Sequence, residues 1–394
     1  MISMAFLLLH LYFPCPFDYN TDNVKTTKKI RLAVGIVFFA VYFFYAARPI
    51  PLETVLIPRW LNSVESGTLI SLEGSRFQTD NDESDANMDV LLPYQLGNRF
   101  GYINRDGRFA VNREKKANVS LSREYWAEYE AEPDRITVQN SNGAANTAIE
   151  NPSGYPFFLD GKMFLISSEQ NAVSAVDESG AVTWTYEFAA PLTCVDSAAG
   201  LVLVGSLDGI IGVLDSNGKQ VFSFEPGGSQ YPIILGCALS RDASHLAIIS
   251  GIGNQRLLIL EHFGSNAVDY KVAYHEFVGE GFRRPVYISF IENDRWVAFE
   301  RNDGLGFYEI NARQTNTVVL DGQVSAIDLS GGQGMVFSVI SGEGNKKKLI
   351  GIRLPDRVMI DSPFRSAEVF MSRIDSRLIV GGGQSLIAFD LEKR

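Results

Sequence analysis

Apolar residues fall along this chain in two distinct patterns, one helical and one of alternating strands. Residues 32–47 (LAVGIVFFAVYFFYAA) form an uncharged apolar run between Arg31 and Arg48. No polar stripe interrupts the run, which argues against a helix lying on a protein core and for one surrounded by lipid. Sixteen residues at about 1.5 Å each cover roughly 24 Å, slightly less than a hydrocarbon core of about 30 Å. Arg31 and Arg48 extend that reach by carrying their charges to the headgroups on apolar stems. Leu32, Phe38 and Phe39 supply lipid-facing surface, and Tyr42 and Tyr45 fall near the far end, where amphipathic rings are favoured. Pro49 and Pro51 then stop the helix. The pattern predicts a short cytoplasmic segment over 1–29, one transmembrane helix over 30–48 and a linker over 49–66. Lys25, Lys28, Lys29 and Arg31 precede the run, so the positive-inside rule keeps the N-terminus in the cytoplasm and exports the chain beyond the helix. No small-residue cleavage site comes after the run, which reads as an uncleaved anchor.

Beyond about residue 89 the period drops to two, and short apolar runs alternate with Asp, Asn, Ser and Gly turns. Self-similarity sharpens this into repeats. Residues 168–188 (SEQNAVSAVDESGAVTWTYEF) and 206–226 (SLDGIIGVLDSNGKQVFSFEP) share one frame. Asp177, Gly180 and Trp184 of the first correspond to Asp215, Gly218 and Phe222 of the second, and Asp390 takes the same place near the C-terminus. The Asp side chain accepts from backbone N–H groups just ahead of it, and Gly turns left-handed without steric cost. Sets of strands recur over 89–131, 155–188, 191–225, 231–277, 284–320, 323–361 and 365–391, a spacing suited to propeller blades. The fold class expected is therefore all-β: a single β-propeller over 67–394, of about seven four-stranded blades with six or eight as alternatives. The last set lacks an outer strand, and residues 68–72 (TLISL) are the candidate that closes the ring.

The segment SLDGIIGVLDSNGKQVFSF resembles the repeats of PQQ-like, quinoprotein-type propellers, and RFGYINRDGRF near the first set resembles the KWG-type bacterial repeat. The first resemblance implies a propeller and brings in a PQQ-dependent dehydrogenase as one reading of function. Such enzymes typically carry adjacent cysteines, and this chain has three separate ones, Cys15, Cys194 and Cys237. No catalytic Asp carries over residue by residue, because Asp177 and Asp215 are accounted for by their turns.

Composition narrows the chemistry. The chain has 394 residues with 35 Lys and Arg against 46 Asp and Glu, a net charge of −11, which excludes nucleic acid as a partner expected from charge. Phosphate loops, dinucleotide fingerprints and nucleophile elbows are absent from the sequence, and the four histidines have no ligand spacing. No catalytic, cofactor-binding or metal-binding residue is assigned and no cofactor is expected. Residues 79–89 (TDNDESDANMD) read as a solvated acidic loop, since the Gly that turns a calcium loop is missing. Residues 132–154 read as an exposed connection. Cys194 and Cys237 begin consecutive sets and read as buried thiols, with a disulfide left open.

The expected function is a non-enzymatic scaffold in a cell-envelope complex, held in a bacterial inner membrane by one helix with the propeller in the periplasm. A ligand-sensing ectodomain is the other alternative. One surface is nominated for a protein partner. In four-stranded blades the loops between second and third strands share a face with the links between blades. Phe282, Arg283 and Arg284 lie in such a link, and Lys346, Lys347 and Lys348 in such a loop. Two basic clusters on one face of an acidic protein suit an acidic partner, with Phe282 as its apolar anchor.

Overall fold

The computed structural model describes residues 21–46, 54–72, 90–263, 269–328, 330 and 332–393. They fall into two units divided between Glu53 and Thr54. The first holds one helix, α1 (Thr21–Ala46), which begins nine residues before the predicted span. Side chains are described from Arg31 to Phe43, and Leu32, Phe38, Phe39 and Tyr42 are 52–69% exposed. Among the described residues no helix is long and apolar enough to cross a membrane. Arg48, the first twenty residues and the acidic stretch at 79–89 lie outside the described residues.

The second unit is a ring of antiparallel sheets. Eight are present among the described residues, one more than the seven blades expected. Six of the expected sets coincide with single sheets, blades 3 to 8 in chain order, at 154–187, 192–224, 231–280, 288–319, 323–365 and 369–393. The set at 89–131 divides in two. Blade 1 comprises Leu91–Leu96, Arg99–Asn104 and Phe109–Glu114, and blade 2 comprises Asn118–Leu121, Tyr125–Tyr129, Arg135–Asn140 and Ala145–Glu150. The last two strands of blade 2 occupy the stretch read as an exposed connection. They carry few apolar residues, but Ile136, Val138 and Ile149 alternate inward and are fully buried.

Closure also differs from expectation. The strand β1 (Thr54–Ser63), inside the stretch read as a linker, pairs with Ser385–Lys393 and becomes the outer strand of blade 8. The strand β2 (Leu69–Ser71), inside the nominated TLISL segment, pairs on the far side of β1 as a fifth strand. Pro58 concealed β1, because proline is confined to edges and bulges, and the register indeed shifts between Pro58 and Trp60.

The Asp and Gly turns explain how the blades lock together. Asp177 Oδ1 accepts from the N–H groups of Ser179 (2.9 Å) and Ala181 (3.0 Å), and Asp215 Oδ1 from Asn217 (2.8 Å) and Lys219 (3.0 Å). Asn104 repeats the pattern with Asp106 (3.0 Å) and Arg108 (2.8 Å), and Asn140 with Ala144 (2.9 Å). The RFGYINRDGRF stretch is thus the same turn between third and outer strands. Trp184, on the outer strand of blade 3, lies over Gly218 of blade 4 and donates to the Ser216 carbonyl at 3.0 Å. A Cβ on Gly218 would stand 2.5 Å from the indole. Trp60 repeats this over Gly107, donating to the Arg105 carbonyl at 3.0 Å. The equivalence assigns the three strands of blade 1 to the second, third and outer positions. Phe222, the counterpart of Trp184, stacks on Phe224 and meets Tyr270 of the next blade edge-on.

Asp390 is a correction. Blade 8 has no turn at this position, because its outer strand arrives from the N-terminal side, and Asp390 lies within Ser385–Lys393 opposite Ile57. It accepts from Arg377 Nε (2.6 Å) and Arg59 Nε (2.7 Å), clasping β1 to the blade. Among the described residues eight hydrophobic clusters fill the seams, each shared by two successive blades, and the one holding Trp60, Tyr94 and Leu386 joins blade 8 to blade 1.

Candidate functional site

Chain direction alternates within each blade, so two kinds of loop emerge on each face. One face carries the Asp and Gly turns. The other carries the loops between second and third strands and the links between blades; it is the connection face, and both nominated basic clusters lie on it.

The link at 281–287 runs from the outer strand of blade 5 (Tyr270–Glu280) to the inner strand of blade 6 (Ile288–Ile291). Phe282 is half-buried against the cluster between those blades, and the Arg284 guanidinium covers its ring at 4.4 Å. Arg284 donates to both oxygens of Glu300, at 2.6 and 3.1 Å, and that carboxylate is wholly buried. The pairing, chiefly the hydrogen bond to Glu300, holds the guanidinium more firmly protonated than usual. With its amide oxygen facing this group, Gln323 accepts from Arg284 at 2.9 Å. Gln323 opens the inner strand of blade 7 (Gln323–Ile327). Arg284 is therefore a latch between blades 6 and 7, and Phe282 is capped rather than free. Arg283 is exposed.

The lysines lie where the third strand of blade 7 (Lys346–Arg353) leaves the loop at 342–345. Lys347 donates to Ser341 Oγ at 2.5 Å, and Ser341 is the ladder partner of Gln323. Lys348 stands 3.7 Å from Asp361 at an exposed site, a pairing of little energetic weight. Lys346 is exposed and lies directly opposite Arg365 of the outer strand (Arg357–Arg365). A cleft of 500 Å³ opens among these residues, with Asp321 and Glu343 also in its wall. The structure thus gathers the three lysines at one cleft, and Lys347 alone is linked towards Arg284, through Ser341 and its ladder partner Gln323.

Sequence reading missed Arg365, Glu300 and Gln323. Counting back along the hairpin from the Arg353–Arg357 pair sets Phe364 opposite Lys346. A bulge between Gly351 and Ile352 moves Arg365 there instead. Asp177, Gly180, Asp215 and Gly218 lie on the opposite face as turn residues.

Other candidate chemistry disperses. His262 pairs with Tyr270 and His275 with Leu258, so their hairpin does not bring the rings together. Cys194 and Cys237 are free thiols packed in the seam between blades 4 and 5, and burial pushes Cys237 well above the usual thiol range.

Comparison with known proteins agrees with the ring. An uncharacterized protein of Treponema pallidum (strain Nichols) is 28% identical over 306 residues, covering 78% of this chain and 79% of that one. The crystal structure of BamB from Moraxella catarrhalis superposes with a TM-score of 0.50 at 11% identity, covering 86% of this chain and 99% of that one. The computationally designed Ika8 protein superposes with a TM-score of 0.55 at 12% identity, over 78% and 98% of the two chains. Both likenesses are of fold alone. A family model described as beta-propeller protein matches residues 22–393, and the chain belongs to that family.

Proposed function

We propose that this propeller is a non-enzymatic, membrane-anchored scaffold of a bacterial cell envelope that docks an acidic protein partner on its connection face. The observation that carries the reading is the gathering of Lys346, Lys347, Lys348 and Arg365 at one cleft, on the face that also carries Arg283, in a chain with a net charge of −11. A local patch opposite in sign to the whole steers partners and sets their orientation. The exposed apolar side chains of α1 support an anchor in lipid, and the lysines before it support a cytoplasmic N-terminus with the propeller in the periplasm. The fourfold Asp or Asn turn supports reading the repeats as PQQ-like.

The test reverses Arg283, Lys346 and Lys348 to Glu together and leaves Arg284 in place, since its loss strands the buried Glu300. Partners are then crosslinked and purified from native membranes. Recovery of the principal partner is expected to fall at least fivefold while the thermal melt is unchanged. Unchanged recovery of every partner overturns the docking face.

A further inference from the structure

We infer that the rim of blade 7 is a two-sided clamp for an extended acidic peptide segment that carries an apolar side chain. The inference rests on the scaffold reading and deepens it by naming the chemistry of the docked segment. Successive residues of a strand point to opposite sides of its sheet, and this sorts the rim into two kinds of surface. Lys346, Lys348 and Arg365 share the side that carries Ile350 and Ile352 into the seam with blade 6. Leu349 and Phe364 share the other side, in the seam with blade 8.

The first side is electrostatically incomplete. Lys346 and Arg365 are direct cross-strand partners of like charge, an arrangement that destabilises a sheet. Among the described residues neither forms an ion pair, and both are exposed beside the 500 Å³ cleft. An anionic side chain in the cleft relieves that repulsion. Asp321 and Glu343 leave the cleft as a whole with a surplus of cations, four against two, of which Lys347 belongs to the second side of the strand.

The second side is an apolar pocket of 300 Å³ between blades 7 and 8, lined by Leu61, Leu349, Phe364, Val380, Ile387 and Phe389. Its volume sits at the lower end of ligand pockets, about 300–1,000 Å³, enough for one apolar side chain. Phe364 and Arg365 belong to the walls of both cavities. A segment crossing this rim meets cations on one side and hydrocarbon on the other. A compact anion fills only the first cavity, and a flat anionic surface meets the exposed Lys346 and Arg365 without filling the apolar pocket.

The full chain in nanodiscs of zwitterionic lipid, free of detergent, is titrated, by fluorescence anisotropy, with a labelled octapeptide of glutamates interrupted by one central phenylalanine. An all-glutamate octapeptide, a lysine-for-glutamate counterpart and vesicles containing phosphatidylglycerol are the comparisons. The mixed peptide is expected to bind most tightly, and the lysine peptide not at all. Lys346→Gln with Arg365→Gln weakens the mixed peptide at least tenfold. Ile387→Ser, which touches the apolar pocket alone, abolishes its advantage over the all-glutamate peptide and leaves the latter's affinity unchanged. Equal binding by the Gln variant, no peptide binding, or capture of vesicles in place of peptide overturns the clamp. Loss of the membrane partner on reversing Arg283, Lys346 and Lys348, without peptide binding, sinks the clamp alone and leaves the scaffold standing.

Discussion

Asp390 shows how one repeat position serves two ends. Its carboxylate accepts from Arg377 at 2.6 and 2.9 Å and from Arg59 at 2.7 Å. These partners, the Arg377 hydrogen bond foremost, hold the carboxyl below its ordinary value of 3.8. A carboxyl depressed in the folded state adds stability above its unfolded pKa, and that stability is lost as pH falls through the folded value. Asp390→Asn is therefore expected to cost about 2 kcal/mol near neutral pH, the scale of hydrogen bonds to charged groups. The gap should narrow from neutral pH to an acid pH below 3.8, as the lowered value of the native carboxyl is approached. Urea denaturation of both proteins at the two pH values checks this, and a gap of constant size contradicts it. Asp328 has the opposite sign: burial raises its pKa despite the Arg373 guanidinium at 3.0 Å, so its charge weighs against folding as pH rises. The repeat frame made Asp390 visible in the sequence as one more turn residue. Its actual partners were not legible, since Arg59 lies 331 positions away and reaches it only through ring closure.

At the scale of elements, legibility followed apolar alternation. The strands of blades 3 and 4 carry it in clear repeats, whereas Arg135–Asn140 and Ala145–Glu150 dilute it with Thr, Gln and Asn. Asn140 and Gly143 make the same turn as Asp177 and Gly180, yet the change from Asp to Asn kept blade 2 from joining the frame. The closing element is the sharper case. TLISL has the better strand composition, but β1 carries the buried Trp60, with its indole donating to Arg105 of blade 1. Trp60→Ala is expected to cost about 3–5 kcal/mol, as for a large core aromatic. Ile70→Ala, on the half-buried fifth strand, should cost under about 1 kcal/mol on the scale of partial apolar burial. Urea midpoints of the two variants separate the roles, and equal losses would contradict β1 as the closing strand.

For the whole molecule, ring closure and charge distribution act together. Each seam is filled by its own cluster, so the two faces are held rigid, and residues far apart in the chain present one surface. That rigidity makes the faces chemically distinct: backbone turns capped by Asp and Asn on one, and Arg283, the lysines and Arg365 on the other. The sequence disclosed which loops share a face, because strand alternation alone decides it. It did not disclose that Arg284 and Phe282 are spent internally, because Glu300 and Gln323 approach them only across blades. The most direct test of the docking face places a photo-crosslinking amino acid at Lys346 and, in a separate protein, at Val182 on the opposite face, in native membranes. A discrete protein adduct from position 346, with none from position 182, is the result predicted. Adducts of the same pattern from both positions, or from position 182 alone, would contradict it.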